Sequence, residues 1–335
     1  MSHLDYTPAY LELSEKELSR RIEKARDLLS PCRVCPRECG ADRLGGEKGF
    51  CETGVLAEVS SYNEHRGEEP PLSGSRGSGT IFFAHCNLRC VFCQNYPISH
   101  LGNGHPVTAT KLAEMMLSLQ RRGCHNINFV SPTHVTPQIL EALKLAIAGG
   151  LKIPLVWNSG GYDAVDTLKL LDGIVDIYLP DMKYDDDSNA EKYSGVPNGG
   201  RGDRPVAPTG CSDGRGTACR APTRGYREMN RAAIREMHRQ VGDLICDEEG
   251  IAVRGLIVRH LVLPGGLAGS QGVLQFLADE ISLNTAISLM AQFFPANRSH
   301  EFPELARGLA AKDYRAAAEA MEKLGLENGW KQTRF

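Results

Sequence analysis

No apolar run in this 335-residue chain approaches the roughly 20 residues that a membrane-spanning helix needs, so no membrane partner is expected. No secretory leader is expected; residues 14–30 are rich in Glu, Lys and Arg and read as an amphipathic helix. Aromatic residues make up only 7% of the chain, basic residues are dispersed and the net charge is −3, which argues against a nucleic-acid partner. Gly74, Gly77 and Gly79 precede the first strand-like run, the wrong order for cradling a dinucleotide phosphate, and read as a turn. Asp185, Asp186 and Asp187 lack the ligand spacing of a calcium loop and read as a solvated turn. Cysteine, in contrast, is plentiful, with eleven residues. A reducing cytoplasm is the expected setting, where grouped thiols bind metal rather than form disulfides.

The densest group is Cys86-Asn87-Leu88-Arg89-Cys90-Val91-Phe92-Cys93, three thiols in eight residues, just after the strand-like run 80–84. A cubic four-iron cluster normally takes four thiolates. A compact loop offering three leaves one iron open to a small molecule, and an open metal position marks catalysis, as it does for zinc. Arg89 is placed either to moderate the thiolate charge or simply to be solvated. The other reading of this loop is a structural zinc completed by a distant His or Cys, although such sites usually present two short pairs. A second group, Cys32, Cys35 and Cys39 with Cys51 downstream, offers four ligands and no vacancy. That suits a structural or electron-relaying site, either zinc or a second iron–sulfur cluster. Cys124 and Cys246 lie beside apolar runs and read as buried small hydrophobes, and Cys211 and Cys219 as spectators.

Strand-like runs at 80–84, 126–130, 153–157, 174–179, 256–263 and 288–294 alternate with helical patterns. Leu112, Met115, Met116 and Leu119 recur at helical spacing with Thr108 or Thr110 as the N-cap, and Thr136-Pro137 opens the next helix with a cap residue. Met229, Ala233, Met237 and Val241 form another stripe. Six strand–helix units imply an α/β fold with a parallel sheet, fewer strands than the eight of a closed barrel. A doubly wound sheet is the rival that spacing leaves open. Three regions are expected: a helix and Cys-rich extension over 1–78, the main unit over 79–300, and a helical tail over 301–335. Residues 198–225 are dominated by Gly, Arg, Pro, Thr and Ser and read as a disordered insertion.

The CxxxCxxC spacing, with an aromatic residue before the last Cys, resembles the radical S-adenosylmethionine (SAM) superfamily, whose members share an open (β/α)6 TIM-like barrel. Further runs resemble the branch homologous to pyruvate formate-lyase activating enzymes. They are Cys32-Arg33-Val34-Cys35-Pro36-Arg37-Glu38-Cys39-Gly40, Asn95-Tyr96-Pro97-Ile98-Ser99, Asn128-Phe129-Val130-Ser131-Pro132-Thr133-His134 and Trp157-Asn158-Ser159-Gly160-Gly161-Tyr162. Tyr178-Leu179-Pro180-Asp181-Met182-Lys183-Tyr184, Arg259-His260-Leu261-Val262-Leu263-Pro264-Gly265 and Gly325-Leu326-Glu327-Asn328-Gly329-Trp330 continue the likeness. It spans 32–330 apart from 198–225, where the branch runs almost straight on.

The resemblance implies that Cys86, Cys90 and Cys93 hold a [4Fe–4S] cluster whose open iron binds the amino and carboxylate groups of SAM. It implies SAM contacts from the backbone of Phe92. Ser131 and Thr133 stand where better-known activators carry Gly-Gly-Glu, and Asn158 and Ser159 where they carry an Asp. Asp181 and Lys183 follow as a pair for the SAM carboxylate and ribose, the other reading being a surface pair at a strand exit; His260 either faces the ligand or packs in the barrel wall, and no residue is assigned as a catalytic acid or base. The implied reaction is reductive SAM cleavage to a 5′-deoxyadenosyl radical that abstracts hydrogen, with a glycyl radical enzyme as the partner protein and reduced flavodoxin or ferredoxin as electron donor. Action on a small molecule or peptide side chain is a second reading. A non-catalytic iron–sulfur or zinc redox sensor or scaffold is a third.

Overall fold

The computed structural model describes residues 6–198 and 224–332. The chain enters through α1 (Glu15–Asp27), where the Ser14 hydroxyl accepts the Glu17 N–H as an N-cap and Leu18 and Ala25 face inward. After the Cys-rich segment come β1 (Ala57–His65), α2 (Pro70–Ser73), β2 (Ser78–Phe83), α3 (Tyr96–Ser99), β3 (His105–Val107) and α4 (Ala109–Arg121). Then follow β4 (Ile127–Val130), α5 (Thr136–Ala148), β5 (Leu155–Ser159), α6 (Val165–Leu170), β6 (Ile177–Pro180) and α7 (Asp187–Ser194). The remainder is α8 (Tyr226–Val241), β7 (Ile245–Cys246), β8 (Ala252–Leu261), α9 (Ser270–Glu280), β9 (Ala286–Met290), α10 (Ala311–Lys323) and β10 (Gly329–Lys331).

One sheet runs in the order β10-β9-β8-β6-β5-β4-β2-β1-β3, with β7 paired to β8 off that path. The stretch from β2 to β10 is parallel throughout, whereas β1 pairs antiparallel with both β2 and β3. The six expected strands are the parallel ones from β2 to β9, and the fold is the open, partial TIM-like barrel. Helices α4, α5, α8 and α9 bury apolar stripes in the main core. Thr108, not Thr110, caps α4 by accepting the Lys111 N–H. Thr136 is the first residue of α5 rather than its cap, and its hydroxyl donates to the Thr133 carbonyl. No helix among the described residues is long and apolar enough to cross a membrane.

Inside the barrel two layers follow from strand alternation. Val156, Ile177, Ala252 and Ala286, near the starts of their strands, join Leu179, Ile257 and Leu72 in one buried apolar cluster. Leu72 comes from α2, so this short helix plugs the end of the barrel where the strands begin. Full burial of such a leucine contributes about 2 kcal/mol. Above that plug the inward positions turn polar, which is where the site lies.

The sequence-based boundary at 78 is not a break in the sheet, because β1 lies before it and extends the sheet past β2. The helical tail likewise ends in β10, paired in parallel with β9. Cys246 is exposed, against expectation, because β7 pairs only along one side of β8. The insertion read over 198–225, with Cys211 and Cys219, lies outside the described residues but for its ends.

Candidate active site

The cysteine loop leaves the C-terminal end of β2. Its backbone is held at several points, which a loop needs if it is to present three thiols together. Arg89 N–H and Val91 N–H donate to the carbonyls of Ser194 and Tyr193 at 3.0 and 2.8 Å. The Arg37 Nε donates to the Asn87 carbonyl at 2.6 Å. Arg89 donates to the carbonyls of Cys86 and Phe50 at 2.8 and 2.9 Å, and its guanidinium lies over the Phe50 ring. Arg89 thus ties the loop to the N-terminal segment.

The thiols themselves have light contacts. Leu88 N–H points at Cys86 Sγ (3.4 Å), the Ser194 hydroxyl donates to Cys90 Sγ (3.0 Å), and Cys93 Sγ lies 3.1 Å from Ser99 Oγ. All three belong to one apolar cluster with Phe92, Tyr162, Tyr184 and Tyr226. Burial pushes the Cys90 thiol up to about 12 and raises Cys86 as well, opposed in both by the Lys183 ammonium. Thiols so placed ionise when a metal takes the proton's place. Among the described residues, no three His, Cys, Asp or Glu side chains stand close enough for one metal ion. A cube seats each thiolate on a different iron, and three thiols presented by one loop fit a [4Fe–4S] cluster with one iron left open.

A polar network lies beneath the loop. Lys183 Nζ meets Asp181 Oδ2 at 2.5 Å, and Arg259 Nε meets Asp181 Oδ1 at 2.8 Å. Arg259 Nη2 also donates to Asn158 Oδ1 at 2.6 Å, and its Nη1 lies 3.5 Å from Glu68 Oε1. Glu68 in turn accepts from the amides of Asn128 and Asn158 at 2.8 and 3.0 Å. Burial would push the Asp181 carboxyl up, but Arg259 and then Lys183 hold it below the ordinary range. Burial opposes the Lys183 charge, yet Asp181 keeps its pKa raised. Among the described residues, Asn128 Oδ1 is buried without a partner.

The structure brings Asp181, Lys183 and Asn158 into this network. The Phe92 ring is buried edge-on to Tyr184 and Phe293. Ser131 is half-buried with a positive φ of 57°, and its N–H donates to the Asn158 carbonyl, joining the ends of β4 and β5. Thr133 and Ser159 both donate to Asp163, at 2.7 and 2.6 Å, and the Trp157 indole N–H adds a third bond at 3.3 Å. Their hydroxyls are therefore engaged by protein rather than open to a ligand. His260 is fully buried with both ring nitrogens occupied, by the Met182 carbonyl (2.6 Å) and the Ser270 hydroxyl (2.8 Å). It braces the barrel wall instead of reaching toward SAM.

Three site residues escaped the sequence reading. Glu68 looks like an exposed acid before two prolines, yet it enters the barrel interior. Arg259 sits in a quoted motif next to His260, and only the alternation along β8 indicates that it faces inward. Asp163 follows the Gly160-Gly161 turn and is buried, with its pKa raised by burial against three hydrogen bonds.

The second cysteine group also converges. Cys32, Cys35, Cys39 and Cys51 line one cavity with Arg37, Arg43, Phe50, Asn87 and His134. The Cys32 thiol donates toward Cys39, which with backbone N–H groups of Ala41 and Phe50 and the Arg43 charge holds Cys39 down to about 5.

The description of the Radical SAM superfamily matches residues 80–198, the span that holds the cysteine loop and most of the polar network. The uncharacterized protein MJ0674 of Methanocaldococcus jannaschii is 30% identical over 318 residues, covering 92% of this chain and 80% of that one. The chain belongs to the radical SAM superfamily. It therefore carries a [4Fe–4S] cluster and SAM and works by SAM cleavage. A radical SAM methyltransferase from Sphaerobacter thermophilus is similar in structure at TM-score 0.45 and 11% identity, over 76% of this chain and 66% of that one. HydG, a maturase of the [FeFe]-hydrogenase, gives 0.46 and 15%, over 97% and 65%. The chain thus spans about two thirds of these structures, and at such scores the likeness carries nothing about activity.

Proposed function

We propose that Cys86, Cys90 and Cys93 hold the cluster that cleaves SAM, and that the chain directs hydrogen abstraction at a glycine of a partner protein, as a homologue of pyruvate formate-lyase activating enzymes. The observation that carries the reading is the meeting of three thiols and one lysine in an apolar recess at the strand ends. When bound and reduced, the cluster supplies the electron that splits SAM into methionine and a hydrogen-abstracting 5′-deoxyadenosyl radical. A reduced flavodoxin or ferredoxin serves as donor. The chain's own residues orient and shield. Lys183, fixed by Asp181, offers its positive charge to a carboxylate. Asn158, held by Glu68 and Arg259, stiffens the neighbouring strand end together with Ser131. Phe92, Tyr184 and Tyr226 keep water from the recess.

The protein-substrate reading is supported by the motif runs from Cys32 to Trp330 and by the rim of the cysteine loop. Tyr96, Leu101 and Phe294 are exposed there, on segments joined by Gln94 Nε2 to the Gln292 carbonyl at 2.9 Å. Exposed apolar side chains beside a reactive centre suit a docked polypeptide. A polar small molecule is the second reading, favoured by Asn128 Oδ1, which has no partner among the described residues of the barrel. Deuterium separates the two. Co-expressed glycyl radical enzymes bearing α-deuterated glycine should pass deuterium into 5′-deoxyadenosine. Transfer from a polar small molecule and never from the protein would decide for the second.

A further inference from the structure

We infer that Cys32, Cys35, Cys39 and Cys51 hold a second iron–sulfur cluster, closed by thiolates on all four corners, in the cavity between the N-terminal segment and the catalytic cysteine loop. The site does not depend on which molecule the catalytic centre attacks.

Four observations carry it. First, all four thiols line one cavity. Three of them span eight residues, as in the catalytic loop but with the spacing reversed, CxxCxxxC against CxxxCxxC. Second, the cavity contains an uncompensated positive charge. Arg43 is fully buried and donates to the carbonyls of Gly54 and His134 and toward Cys32 Sγ at 4.0 Å. Among the described residues it makes no ion pair with a carboxylate. A buried guanidinium calls for an anion, and a tetrathiolate cluster is one. Third, His134 lines the same cavity at 1% exposure, and its Nδ1 has no partner among the described residues. Fourth, the backbone makes room beside the ligands: a Cβ on Gly49 would stand 2.3 Å from Cys39 Sγ.

The choice of iron–sulfur over zinc rests on spacing. Zinc sites gather four donors around one ion and favour two short pairs. The fourth thiol, Cys51, stands alone rather than in a pair. With no open iron, the second cluster takes no substrate. It abuts the catalytic loop, since Asn87 of that loop lines its cavity and Arg37 of its own motif donates to the Asn87 carbonyl.

The test uses the full chain, purified and reconstituted anaerobically with iron and sulfide. Wild type should carry about eight irons, because each cube holds four. The triple variant Cys86→Ala, Cys90→Ala, Cys93→Ala leaves the second site untouched. It should keep about four irons, with a reduced-cluster resonance that SAM does not alter. The double variant Cys35→Ser, Cys51→Ser should also keep about four, with a resonance that SAM shifts. A folded triple variant that holds zinc, or no metal, overturns the proposal. If the triple variant keeps its iron while no wild-type resonance responds to SAM, the second site stands and the catalytic reading fails.

Discussion

Arg259 is the point at which the barrel interior is most exposed to a single change. It holds three groups at once: Asp181 at 2.8 Å, Asn158 at 2.6 Å and Glu68 at 3.5 Å. Arg259→Met would keep much of the apolar stem and remove the charge and the fork. Breaking a buried ion pair from one side costs about 3–5 kcal/mol, because the abandoned charge stays buried. Asp181 retains Lys183 and Glu68 retains two amides, so the lower end of that range, about 3 kcal/mol, is expected at pH 7. Arg259→Lys should recover only part of this, since one ammonium cannot meet three acceptors in a plane. The loss should also depend on pH. Arg259 is the main attraction holding the Asp181 carboxyl down, so in the variant that carboxyl takes up a proton more readily. The penalty should then shrink as pH falls toward 4. Urea unfolding at pH 7 and pH 4.5, with unchanged m-values, measures both effects. A loss below about 1 kcal/mol at pH 7 with no pH trend would refute the buried network, since exposed pairs are worth that little.

Three further outcomes follow from the site. Burial lowers the His260 pKa to about 4. The unfolded chain therefore binds more protons than the folded one between pH 4 and 6.5, and His260 stabilises fully above 6.5 and loses about 3 kcal/mol as pH falls to 4. His260→Asn, which keeps a donor for the Met182 carbonyl, should flatten that part of the stability–pH curve; an unchanged slope would contradict it. Asp163→Asn turns one of two oxygens facing three donors into a donor, and should cost about 1.5–3 kcal/mol in denaturant unfolding. Gly161→Ala should destabilise more severely, because φ is +72° and the new Cβ would meet the Asp181 carbonyl oxygen at 2.0 Å; a stable, soluble variant with an unchanged melting temperature would show that turn to be looser than described.

Much of the frame was legible because it depends on local pattern. The six parallel strands are short apolar runs between helical stripes, and Thr108 caps α4 by a rule of three residues. β1 was not legible. Only Ala57 and Val59 at its start are buried, and the rest of the strand is polar, so no alternation announces it. β10 is three residues long and gains its place from β9 alone. The site divides the same way. Cys86, Cys90 and Cys93 declare themselves by spacing. Glu68, Asp163 and Arg259 acquire their roles from partners on distant strands, and an acid reads as surface until those partners are known. Thr133, Ser159 and His260 show the converse: a suitable side chain at a strand end can be consumed by a neighbour before any ligand arrives.

The central claim is that the three-cysteine loop supports SAM cleavage in this chain. The most direct measurement is 5′-deoxyadenosine release by the anaerobically reconstituted full chain, given SAM and dithionite, beside the Cys90→Ala variant. Release by the wild type and none by the variant is the predicted result. A fully loaded, reduced wild type that releases none, or a variant that releases as much, would contradict it.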